Sequence, residues 1–278
     1  MKNTLKKACL ISSALIFSSA SAFAGGFTSG KNVFDFNVDY EGKFFDNSAG
    51  SKNKRYNNGI EVDAELGLTE DASLGFEAYF DKTHKRGDDA NGIASDKGNW
   101  EKGLLTYHRM NFNVNESINL GTQFGVAFIG NGDGTYSANG RVRGMIRHDT
   151  KSGFYKHSRF EIEYRRAFDE NAPDRVRFDF RTKFRLASGV DLYIRLMPNL
   201  ELASQQFVNN NPEKTSVSSR NLKRVKIAYT DLNIGPDFKV GKDAGIHAYY
   251  TMRLEGANEA KRNHSKGILV GYSKSFNL

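Results

Sequence analysis

The residues of this sequence best suited to chemistry are arginines spaced two apart. In RVRFDFRTKFRL, Arg175, Arg177, Arg181 and Arg185 share one parity with Asp179 and Lys183, while Val176, Phe178, Phe180, Thr182, Phe184 and Leu186 share the other. Successive side chains of a strand point to opposite faces, so one face is apolar and the other is a row of cations. A helix would scatter both sets around its axis. The same parity puts Arg141, Arg143 and Arg147 opposite Val142 and Ile146, and Arg159 and Arg165 beside Glu161 and Glu163. It sets Arg195 against Leu192 and Ile194, and Arg224 and Lys226 against Val225 and Ile227. Acids collect earlier in the chain, where Asp35, Asp39, Glu41, Glu61, Asp63, Glu65, Glu77 and Asp81 occupy the polar faces of three successive runs. Guanidinium groups grip carboxylates in a bidentate fork and keep their charge at any working pH. A basic wall facing an acidic one would pass an acidic solute between a series of weak sites. The plainer alternative is that these charges pair with one another and only fill an interior.

Twelve such alternating runs account for the chain after about residue 30. In the first, Phe34, Phe36, Val38, Tyr40 and Phe44 oppose Asp35, Asn37, Asp39, Glu41 and Lys43. In the last, Ile268, Val270, Tyr272 and Phe276 share one face. Two runs are irregular. In 100–114, His108 falls with Leu104, Met110 and Phe112 on the apolar parity, and a phase reset at a bulge or at an inward helix or loop contact is the expected reason. The tenth run, 222–240, sets Val225, Ile227 and Tyr229 outward and changes phase near Asp231, which again reads as a bulge.

The connections alternate in length. Thr69-Glu70-Asp71, Asn115-Glu116-Ser117, Thr150 to Gly153, Ala187-Ser188-Gly189 and Gly241 to Ala244 are short turns, and the intervening loops are longer. A soluble sandwich has no reason to alternate in this way. A transmembrane antiparallel β-barrel does, with short periplasmic turns, longer external loops and, for an even strand count, both termini on the periplasmic side. The apolar faces then meet lipid and the charged faces meet a water-filled lumen. Phe44, Phe80 and Trp100 fall near external strand ends, as girdle aromatics do.

Composition agrees with this reading. The mean hydropathy is −0.58, and no segment reaches the ~20 apolar residues of a membrane helix, but a barrel strand offers only alternate residues to lipid. Only 4 prolines are present to interrupt ladders. Residues 1–24 read as a secretory leader: Lys2, Lys6 and Lys7, an apolar run from Ala8 to Phe17, then Ala22-Phe23-Ala24 before Gly25. The leader carries three of the 40 Lys+Arg, none of the 32 Asp+Glu and the single cysteine, Cys9, leaving residues 25–278 at net +5 with no disulfide framework.

Catalytic readings find less support. The six histidines show no metal-ligand spacing, so no metal or other cofactor is expected. A phospholipase-like barrel needs a Ser/His pair on its outer surface, and His108 has no evident serine beside it. Asp81 and His84 lie near an external rim, where a charged loop explains them. Lys82, Lys85 and Arg86 read as solvated loop or lipopolysaccharide contacts, with no nucleic-acid site implied. No catalytic residue is assigned. An outer-membrane hydrolase and a structural or adhesive barrel stand as the competing classes.

The final strand, GILVGYSKSFNL, resembles the closing signal of outer-membrane proteins of diderm bacteria, although two residues follow Phe276 and Lys274 stands on the lipid parity. That ending, the count of twelve and the arginine-rich inward faces together resemble the oligogalacturonate-specific monomeric porin family. The resemblance implies a monomeric passive channel for acidic sugars such as sialic acid, assembled by the barrel-assembly machinery through its last strand. Its partners would be outer-membrane lipid, lipopolysaccharide and anionic small solutes.

Overall fold

The period-two alternation becomes strand in a computed structural model of the chain, which describes residues 27–46, 54–86, 99–130, 136–150, 152–168, 172–202, 225–255 and 264–278. The strands are β1 (Val33–Asp46), β2 (Lys54–Thr69), β3 (Ala72–Arg86), β4 (Asn99–Asn113), β5 (Ile118–Gly130) and β6 (Tyr136–Asp149). They continue as β7 (Tyr155–Ala167), β8 (Asp174–Ala187), β9 (Val190–Leu202), β10 (Val225–Lys239), β11 (Ala244–Glu255) and β12 (His264–Asn277). Each pairs antiparallel with its neighbours in sequence, and β12 returns to β1, from Val33 opposite Asn277 to Asp46 opposite His264, closing the barrel. Closure leaves no edge strand, which satisfies every ladder hydrogen bond without water and suits the sheet to hydrocarbon.

The surface is inverted relative to a soluble domain. Phe44 (64% exposed), Phe80 (49%), Ile60, Val142, Phe180 and Ile268 all point outward into the surroundings. Phe160 packs against Phe180 on this outer face, the ring centroids 4.8 Å apart and the planes tilted by 35°. Buried side chains are instead mostly polar and face the lumen, among them Gln123, Glu161, Glu163 and Asp179. A band of apolar side chains turned outward around a charged interior is the pattern of a transmembrane barrel.

Both irregular runs resolve physically. In β4 the pairing to β3 and β5 runs without a shift, so no bulge resets its phase. His108 keeps the outward parity, between Leu74 and Phe124 on the adjoining strands, and correspondingly Leu105, Tyr107 and Arg109 face inward. The expected phase reset is therefore corrected. In β10 the bulge exists but lies between Ile227 and Tyr229, earlier than the pattern suggested. Tyr229 consequently turns inward, where the Arg253 guanidinium sits 4.0 Å from its ring centroid. A bulge inserts one residue and flips every later side chain, so its exact place decides the face. Strands β2 and β3 also reach further than expected, pairing Lys54 with Arg86, so Lys82, Lys85 and Arg86 end a strand. The turn after β8 places Gly189 at φ 76°, a conformation that glycine adopts without steric cost.

Candidate functional site: the charged lumen

A cavity of about 1090 Å³ occupies the barrel axis. Its walls are set by strand order. Strand β2 stands six places from β8 in a ring of twelve, so the acidic runs β1–β3 and the arginine-rich runs β6–β9 face one another.

Ladder register arranges the basic wall in rows across the strands. Arg141, Arg165 and Arg175 are laterally aligned, with Glu201 beyond them. The next row is Arg143, Glu163, Arg177 and Asn199. Met145, Glu161 and Asp179 follow, then Arg147, Arg159, Arg181 and Arg195. Like charges directly opposite each other repel, so cation rows need the acids placed between them. Glu161 takes Arg143 and Arg181 at 3.2 Å each, with Arg159 alongside. Glu163 takes Arg177 at 3.3 Å together with Arg143 and Arg165. Asp179 takes Arg181 at 2.7 Å and Arg195 at 2.6 Å. All three carboxylate side chains are 1% exposed. Six arginines (143, 159, 165, 177, 181 and 195) thus surround three buried carboxylates, and with Arg141 on the same wall the seven arginines exceed these three acids by four positive charges. Arg141 differs from the others: its Nε donates to Asn139 Oδ1 at 2.9 Å, and among the described residues it meets no carboxylate.

The remaining sequence candidates lie around this core. Arg175 reaches Glu201 at 3.1 Å and is partly exposed, and Lys183 pairs with Asp237. Arg147 pairs with Asp149 at 2.7 Å, and Arg185 is exposed near the β8–β9 turn; neither lines the cavity. Lys226 is opposite Glu201 in the ladder, and Arg224 lies outside the described residues.

On the facing wall, Glu61, Asp63 and Glu77 bring carboxylate oxygens within 4.8 Å of one another, and Asn37 donates to Asp63 at 3.4 Å. This is the one such acid grouping among the described residues, and it lines the cavity. Asp39 pairs with His247 at 2.8 Å, and Asp35 accepts from Ser275. Glu65 has a different setting. It accepts from Tyr107 at 3.0 Å and from Ser73, and Arg109 pairs with it. Arg109 was missed because the supposed phase error in its strand hid the inward parity of 105, 107 and 109. Glu161, Glu163 and Asp179 were visible on the inward parity, but their grip on several arginines each follows only from the lateral register.

The chain is similar in fold to the COG4313 outer membrane channel from Pseudomonas putida F1, with 10% identity and a TM-score of 0.63 over 93% of this chain and 100% of that one. A deltaS2 mutant of the TodX monoaromatic hydrocarbon channel matches at 11% identity and a TM-score of 0.51, over 92% of this chain and 91% of that one. The NanC porin matches at 10% identity and 0.51, over 85% of this chain and 98% of that one. The likeness to the porins read from the sequence therefore holds at the level of the fold. No protein-family model and no curated protein sequence matches the chain.

Proposed function

We propose that the chain is a monomeric outer-membrane channel for passive diffusion of small solutes, favouring anions, with acidic oligosaccharides as its solute class. The observation that carries this reading is the 1090 Å³ lumen lying between an arginine wall and the clustered carboxylates of Glu61, Asp63 and Glu77. A net surplus on one wall draws anions in, and the acids opposite hold a carboxylate-bearing solute against the guanidinium rows. The solved channels of similar fold support transport as the general class. The outer apolar band fits a lipid and lipopolysaccharide surround. A leader ending at Ala24 and a closing strand offered to the barrel-assembly machinery complete the export route. Purified protein in a planar bilayer should give discrete conductance steps. A silent bilayer accompanied by lipid hydrolysis in mixed micelles would replace this reading with a hydrolase.

A further inference from the structure

One segment inside the lumen has no part in the charge arrangement above. Residues 27–30 precede β1 and fold back inside the barrel at its short-turn end, with Phe27 and Ser29 each 3% exposed. The segment is held by specific bonds. The Phe27 amide donates to Asn111 Oδ1 at 3.2 Å, and Arg109 Nη1 donates to the Phe27 carbonyl at 2.9 Å. The Ser29 amide donates to Glu65 Oε1 at 3.1 Å. The Phe27 ring lies 4.8 Å beneath the Arg159 guanidinium. Asn32 donates its amide to the Gly67 carbonyl at 3.1 Å and holds φ at 60°, which turns the chain from the lumen into β1.

The barrel wall is shaped to receive this segment. Gly121 and Gly67 both fall on the lumen parity. A Cβ at Gly121 would sit 2.6 Å from the Phe27 ring, and one at Gly67 would sit 1.5 Å from the Gly30 carbonyl oxygen. The lumen-facing polar residues Ser73, Asn111 and Asn119 are at most 5% exposed, although their parity would wet them in an open barrel. None of these three lines the cavity, which runs at this end past Lys239, Lys242, Asp243 and Lys274 instead.

We propose that residues 27–30 form a fixed inner constriction that sets the size limit of the channel and displaces its periplasmic exit toward β10–β12. Phe27 supplies the bulk, and Arg109 and Glu65 position the segment. This makes Arg109 and Glu65 positioning residues as well as part of the cavity lining, and it makes Lys239, Lys242 and Asp243 the last charges a solute meets. The inference rests on the transport reading.

The test uses full-length protein with Phe27→Ala and, separately, Gly121→Leu, which fills the ring's seat from the wall side and displaces the ring toward the lumen axis. Folding of each variant is confirmed by heat-modifiable gel mobility. Phe27→Ala should raise steady single-channel conductance roughly two-fold and admit longer saccharides in liposome swelling, since the narrowest section governs flux, and Gly121→Leu should lower both by pushing the ring toward the axis. Phe44→Ala, on the lipid face, should change neither. Folded variants that conduct and discriminate size as the unaltered protein does would overturn the constriction while leaving transport intact. Open–closed flicker that Phe27→Ala abolishes without a rise in open conductance would overturn its fixed character. Silence in every form would instead refute the transport reading together with the inference.

Discussion

Arg141 and Arg181 carry the same charge in the same wall, and their replacement by alanine should have opposite consequences for stability. Arg181 holds Asp179 at 2.7 Å and Glu161 at 3.2 Å, both carboxylates being 1% exposed. Removing one partner of a buried ion pair costs about 3–5 kcal/mol when the survivor is left alone. Here Asp179 keeps Arg195 at 2.6 Å, and Glu161 keeps Arg143 at 3.2 Å with Arg159. A loss of about 2 kcal/mol, below that range, is therefore expected for Arg181→Ala. Arg141 meets no carboxylate among the described residues and stands laterally opposite Arg165. Relief of that repulsion should leave Arg141→Ala unchanged in stability or stabilised by about 0.5 kcal/mol. Both variants lose one lumen charge. At roughly 10 Å through water one charge is worth about 0.4 kcal/mol, roughly a two-fold change in local anion concentration, for either variant. Urea unfolding in lipid vesicles, followed by the fluorescence of the single tryptophan, Trp100, measures the first quantity, and reversal potential in a salt gradient measures the second. Equal unfolding midpoints for the two variants would refute the assignment of Arg181 as a clamp on buried acids.

Replacing Glu61 and Glu77 with glutamine should move selectivity further toward anions and raise stability by up to about 1 kcal/mol, because it dissolves a cluster of like charges; a lowered urea midpoint would contradict this. Gly75→Ala should destabilise the barrel by about 1–3 kcal/mol, since the new Cβ would meet the buried Tyr107 ring at 2.3 Å, and an unchanged midpoint would show that the ring has room to yield. Amino-terminal sequencing of protein recovered from the outer membrane should begin at Gly25, and a start at Met1 would remove the leader assignment. Deleting Phe276 to Leu278 should slow assembly, because Leu278 donates to the Asn32 carbonyl at 2.7 Å and Phe276 packs 6.2 Å from Phe34 across the closing pair; pulse-chase heat modifiability at the wild-type rate would contradict that.

The fold was legible because a barrel writes its architecture at a period of two. The alternation in 175–186 requires an apolar face and a charged one, and the lengths of successive connections give the strands their direction. The lateral arrangement was not legible. Parity places Glu163 and Arg177 on one face, but only the register that sets Glu163 beside both Arg143 and Arg177 shows that a carboxylate serves three guanidiniums. The same limit applies to phase. A single inserted residue near Ala228 turned Tyr229 inward, and a single histidine on the lipid face suggested a bulge where β4 is regular. The segment at 27–30 carries no periodic signal, because its contacts with Asn111, Glu65 and Gly121 are distant in sequence.

The central claim is that the arginine wall keeps a positive surplus after its buried carboxylates are counted. Reversal potential of the unaltered protein in a ten-fold potassium chloride gradient tests this most directly. The account predicts a potential on the chloride side, larger at low salt because screening weakens fields between exposed charges. A potential on the potassium side at low salt would show that the acid cluster at Glu61, Asp63 and Glu77 governs the lumen, and would contradict the account.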